Sequence, residues 1–105
     1  MEQFHVFENK GSGKSVYPFL INLQHPVANV LKHALVAPAI ELTLLAGMSP
    51  PAKICPVVEI NDKPHVVMMH MMAGISVKDL GERVADLTSA RTVLRDAIDF
   101  LVNGY

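Results

Sequence analysis

From Ser89 onward the apolar residues Ala90, Val93, Leu94, Ala97, Ile98 and Leu101 recur at three- and four-residue spacings, whereas the segments before them alternate or run short. That period lays one apolar stripe along an amphipathic helix and predicts a change of structure at this point of the chain. Thr88 or Ser89 is placed to cap the helix by accepting an orphan backbone N–H. Arg95 and Asp99 stand four apart, where an outer-face pair is expected. Asn103-Gly104 reads as the stop, because both residues tolerate the left-handed backbone.

The segments upstream have strand periodicity. Gln3 to Phe7 and Tyr17 to Leu23 alternate, and the polar stretch Asn9 to Ser15, with two glycines, predicts a hairpin loop between them. Leu35 to Ala37, before Pro38, is another short strand candidate, followed by a less regular apolar stretch from Ile40 to Ala46. Gly47 to Lys53 contains Pro50 and Pro51 and reads as loop. Val57 to Ile60, then Asn61-Asp62, then His65 to Met72 predicts a second hairpin. Further short strands are expected around Val77 and Val84. The expected fold class is therefore mostly β with one terminal helix: a small antiparallel sheet or partly open barrel on which the helix packs. At 105 residues, half of them hydrophobic, residues 1–105 are expected to form one domain.

Charge narrows the function. The net charge is -1 and no Lys/Arg cluster appears, so any DNA role is expected to run through a partner. Pro64 to Val77 is one uncharged run, shorter than the roughly 18 residues a membrane helix needs, and Glu2, Glu8 and Lys10 argue against a signal peptide. Cys55 is the one cysteine, which excludes an internal disulfide and fits a reducing compartment. These features predict a cytoplasmic protein that does not contact the membrane.

No catalytic constellation emerges from the residues. Gly13-Lys14-Ser15 lacks the upstream glycine of a phosphate loop, and Pro18 interrupts the helix such a loop requires. The run Val66-Val67-Met68-Met69-His70-Met71-Met72 has soft ligands suited to Cu(I). On a strand its methionines would split between two faces, and methionine commonly fills gaps in cores. The five histidines show no ligand spacing, and Cys55 reads as a small buried hydrophobe. No cofactor or metal is expected, nor is enzymatic activity.

Several segments carry a resemblance. Gln3-Phe4-x-Val6, Phe19 to Gln24, Leu35 to Pro38, Pro56-Val57-Val58-x-Ile60-x-Asp62, Met72-Ala73, Gly81-Glu82-x-Val84-Ala85-Asp86-Leu87, Ala97-Ile98 and Gly104 together resemble the CcdB-type toxins. Length differs only in the first loop and near Leu87 to Arg91. The resemblance implies an SH3-like sheet with a C-terminal helix, shared with the MazF/Kid ribonuclease toxins, and a homodimer. It implies a toxin that binds the A subunit of DNA gyrase, traps the cleaved complex, and is neutralised by a CcdA-like antitoxin. The pair would repress its own operon through the antitoxin's DNA-binding domain, the toxin meeting DNA only indirectly.

The positions carried over by the resemblance are Val27, Ala28, Asp99, Val102, Asn103, Gly104 and Tyr105 for gyrase. For the antitoxin they are Glu8, Asn9, Lys10, Gly11, Ser12, Gly13 and Lys14, with overlap at the helix end. Where such toxins carry an aromatic or small residue followed by Gly-Ile, this chain has Asn103-Gly104-Tyr105. Two other readings follow from the same resemblance. One is a relative that keeps the dimer and antitoxin binding but has lost gyrase affinity. The other is a MazF/Kid-like endoribonuclease, for which Arg83, Arg91 and His70 are the available side chains.

Overall fold

The computed structural model describes residues 2–26, 31–48 and 50–104. Its strands are β1 (His5–Asn9), β2 (Phe19–Asn22), β3 (His33–Glu41), β4 (Val57–Ile60), β5 (Lys63–Val67), β6 (Ala73–Ser76) and β7 (Leu80–Asp86), followed by helix α1 (Arg91–Asn103). The sheet is ordered β4-β5-β3-β2-β1-β7, with β6 also on β3, and every pairing is antiparallel. It curls into a half-barrel with α1 packed on it, as the alternation followed by a helical period predicts.

Strand β3 organises the sheet. One edge pairs with β2 from Phe19↔Ala39 to Asn22↔Val36. The other edge is shared: its C-terminal half takes β5 and its N-terminal half takes β6. The sequence reading ended this strand before Pro38, but the strand runs through it. The Pro38 carbonyl accepts the Met68 N–H at 2.9 Å, just past the end of β5. N–H and C=O of one strand residue face the same neighbour, so the missing N–H of Pro38 faces the handover from β5 to β6. No ladder bond is lost there.

That handover also corrects the methionine run. The strand predicted from His65 to Met72 stops at Val67, and Met69–Met71 forms a 3₁₀ turn that carries the chain from β5 to β6. Met69 is fully buried in the main core, with Met72 packed against that core, while Met68 packs against the cluster of Ile40, Cys55 and Val66. The methionines fill the irregular space of the turn, a role their flexible side chains suit. The Val77 segment is likewise a 3₁₀ turn, Val77–Asp79, in which the Ser76 hydroxyl accepts the Lys78 N–H. The strand of that region is β6, just before it.

The Asn61-Asp62 turn is as predicted: both residues have positive φ, 53° and 66°, the geometry of a two-residue turn that matches strand twist. Under the sheet, Phe4, Val6, Ile21, Leu23, Ala37, Ala39, Val58, Ile60, Val67 and Met69 form one core with Leu87, Leu94 and Ala97. From the predicted apolar stripe of α1, Leu94 and Ala97 are buried in it, and Ile98 and Leu101 pack against it. Buried Asn22 ties down the chain before β1 by donating to the Glu2 and Gln24 carbonyls and accepting the Gln24 N–H.

The helix start differs from expectation. Neither Thr88 nor Ser89 caps α1; a 3₁₀ turn, Thr88–Ala90, precedes it, and Ala90 holds the N-cap position without a side-chain bond. The Thr88 hydroxyl and N–H both donate to the Asp86 carboxylate, so the hydroxyl is already committed. Nor do Arg95 and Asp99 form an ion pair; among the described residues the close charged contact is His5 Nε2 to Asp86 Oδ2, at 3.5 Å.

Candidate docking surface

The end of α1 is built by a single backbone event. Gly104 adopts φ 81°, and its N–H closes the last turn on the Phe100 carbonyl at 2.8 Å. Glycine takes this left-handed conformation without the penalty a Cβ would add. The predicted stop is therefore real, and it leaves Asp99, Val102 and Asn103 exposed on the last turn. Val102 is 68% exposed and adds an apolar side chain to this turn.

Beside this turn lies an open groove of about 610 Å³ lined by Ala52, Lys53, Val93, Asp96, Asp99, Phe100 and Gly104. The Lys53 ammonium sits 5.3 Å from the centre of the Phe100 ring, a cation–π contact that joins the loop before β4 to the helix. Asp96 and Asp99 add negative charge on the helix side. The groove thus offers an apolar floor, Val93 and Phe100, with charges of both signs around it. It brings together Asp99 and Gly104 from the sequence reading and adds Lys53, Val93, Asp96 and Phe100, which that reading missed. The helical period could have supplied the last three, since Asp96, Asp99, Phe100 and Asn103 share neighbouring positions three and four apart.

The first loop is the second predicted surface, and it is held by its own polar groups. The Asn9 carboxamide donates to the Tyr17 carbonyl at 2.9 Å and accepts the Gly11 N–H at 2.8 Å. The Gly13 carbonyl accepts the Val16 and Tyr17 N–H groups, and Lys10 N–H donates to the Asp79 carbonyl at 2.8 Å. A Cβ at Gly81 would lie 2.9 Å from Glu8 Cβ, so only glycine lets β7 approach the loop's base this closely. Glu8, Lys10, Ser12, Gly13 and Lys14 are exposed, while Asn9 and Gly11 are half-buried. Val27, Ala28 and Tyr105 lie outside the described residues.

The other chemistry-bearing side chains make local contacts. Cys55 Sγ lies 3.6 Å from His70 Nδ1, a contact the sequence reading did not anticipate. Cys55 is buried, and burial pushes its thiol up, opposed in part by the Met69 backbone. A thiol held protonated is a poor nucleophile. Buried His65 donates from Nδ1 to the Lys63 carbonyl at 2.9 Å and meets the Phe19 ring edge-on. His70 sits on the 3₁₀ turn after β5, Arg83 on β7 and Arg91 at the start of α1, and no contact among the described residues joins them. No group of three or more His, Cys, Asp or Glu side chains among the described residues could hold a metal ion. No helix there is long and apolar enough to cross a membrane.

The sequence profile described as CcdB protein matches residues 3–104. A solved structure described as the crystal structure of an Mtb toxin superposes with a TM-score of 0.68 at 17% identity, covering 95% of this chain and 99% of that one. At that identity the likeness concerns the fold. Among curated proteins, none matches the chain in sequence.

Proposed function

The chain belongs to the CcdB protein family, and from that premise we propose that it is the toxin of a toxin–antitoxin pair and acts by binding the A subunit of DNA gyrase. Residues 1–105 act as one domain, paired as a homodimer in the cytoplasm. The complex with gyrase is trapped with its DNA cleaved. A CcdA-like antitoxin neutralises the toxin, and the pair represses its own operon through the antitoxin's DNA-binding domain.

The observation that carries this reading is the left-handed stop at Gly104. It ends α1 so that Asp99, Val102 and Asn103 are presented on one exposed turn beside the Lys53–Phe100 groove. An exposed apolar side chain next to a partly apolar groove is the kind of surface that gains from a partner. Gyrase docks there, with Val27, Ala28 and Tyr105 completing the contact. The antitoxin takes Glu8, Asn9, Lys10, Gly11, Ser12, Gly13 and Lys14 and reaches the same helix end. Its tail, ordering on contact, excludes gyrase by overlap.

Asn103 favours a second reading. It puts a carboxamide where the toxins of this family carry an aromatic or small residue, and loss of a large apolar anchor weakens an interface by about 2 kcal/mol or more. On that reading the chain keeps its dimer and antitoxin but not its grip on gyrase. Controlled expression in a bacterium separates the two. Growth arrest with a DNA-damage response, relieved by a gyrase A subunit altered at its toxin contact, supports the toxin. Normal growth with abundant folded protein supports the second reading.

A further inference from the structure

We propose that Asn103-Gly104 is a spontaneous deamidation site, so that the helix end carries a chemical clock. The reaction needs an asparagine carboxamide free to swing onto the next backbone nitrogen, and a next residue that does not block ring closure. Asn103 is exposed, and its carboxamide has no hydrogen-bond partner among the described residues. A Cβ placed on Gly104 would meet nothing within 4 Å, and the residue already sits at φ 81°. The other described asparagines are held back. Asn22 is buried with both carboxamide atoms bonded, and Asn9 is bonded to Tyr17 and Gly11. Asn61 is exposed but is followed by Asp62, whose side chain crowds the ring.

The chemistry balances without any oxidant or enzyme. The Gly104 nitrogen loses its proton and attacks Asn103 Cγ, forming a new C–N bond and a five-membered succinimide. The Cγ–Nδ2 bond breaks, and ammonia leaves with the proton the backbone nitrogen gave up. Water then adds to either succinimide carbonyl and opens the ring, leaving aspartate or isoaspartate at position 103. The bond from Gly104 N–H to the Phe100 carbonyl, 2.8 Å, holds the attacking nitrogen in the helix cap. The rate is therefore set by how often the last turn opens, and helix ends open readily.

The product places a carboxylate four residues from Asp99 at the negative end of the helix dipole. Both effects loosen the last turn, and, resting on the docking role proposed above, a looser turn presents Asp99, Val102 and position 103 less well to gyrase, so the toxin loses potency as it ages.

The test incubates the folded protein at physiological temperature and mildly basic pH for days. Peptide mass spectrometry and isoaspartyl methyltransferase labelling then locate the products. Position 103 should convert more slowly than in a free peptide of residues 100–105, because the last turn must open first, yet ahead of Asn9, Asn22 and Asn61. Asn103→Gln should abolish the conversion. An intact carboxamide at 103 after the free peptide has fully converted overturns the proposal, as does earlier conversion at another asparagine. Aged protein and Asn103→Asp should both bind a purified gyrase A subunit roughly three- to tenfold more weakly than fresh protein. Equal binding by fresh and aged protein overturns the loss of potency. If fresh protein does not bind at all, the docking role fails while the mass spectra still decide the chemistry.

Discussion

Leu94 is the residue through which α1 is fastened to the sheet: it is fully buried among Phe4, Met69 and Leu87 in the main core. Leu94→Ala leaves a cavity under the helix and should cost about 2–5 kcal/mol. In urea this appears as a lower midpoint with an unchanged slope. Asp86 works through charge. Hydrogen bonds from the Thr88 hydroxyl and N–H hold its carboxyl below the ordinary value of 3.8, opposed in part by desolvation, with still smaller help from His5 and Arg83. A depressed carboxyl stabilises the fold above its unfolded value, and that contribution is lost as pH falls through the folded one. Unfolding midpoints should therefore drop on acidification below about pH 3.8, and drop less steeply in Asp86→Asn; parallel profiles would contradict the assignment. Cys55 was legible as a buried hydrophobe because that is the default role of a lone cysteine. Its contact with His70 was not, because the 3₁₀ turn that brings them together has no period to read.

At the scale of elements, glycine at 81 couples the first loop to β7. Gly81→Ala forces its new methyl onto Glu8 Cβ, the root of a side chain rather than its flexible end. The cost should be about 1–3 kcal/mol, with weaker antitoxin binding because the loop is displaced. Titration calorimetry with the antitoxin checks this, and unchanged affinity would remove the loop from that interface. The helix and its stop were legible because a 3.6-residue period and an Asn-Gly pair are local signals. Its start was not, since Thr88 answers to Asp86 across the end of β7 rather than to the helix. Pro38 misled in the same way. A proline reads as a strand break unless one knows that its edge is changing partners there, and that depends on strands some thirty residues further on.

For the molecule as a whole, the class was readable and the site only in part. Alternating segments closed by one helix lead to a curled antiparallel sheet with a helix on it. The groove arises where Lys53, from the loop before β4, meets Phe100 on α1, and such a meeting leaves no pattern in either segment. On the function proposed above, this helix end grips gyrase and traps its cleaved complex. That function is tested most directly by incubating purified gyrase, ATP and supercoiled plasmid with freshly prepared protein, then denaturing and scoring linear DNA. Linear product that rises with protein and is lost on Gly104→Ala, which strains the left-handed stop, is the predicted result. No linear product at high protein, with cleavage restored by Asn103→Trp, would contradict it and leave a family scaffold whose toxic contact has decayed.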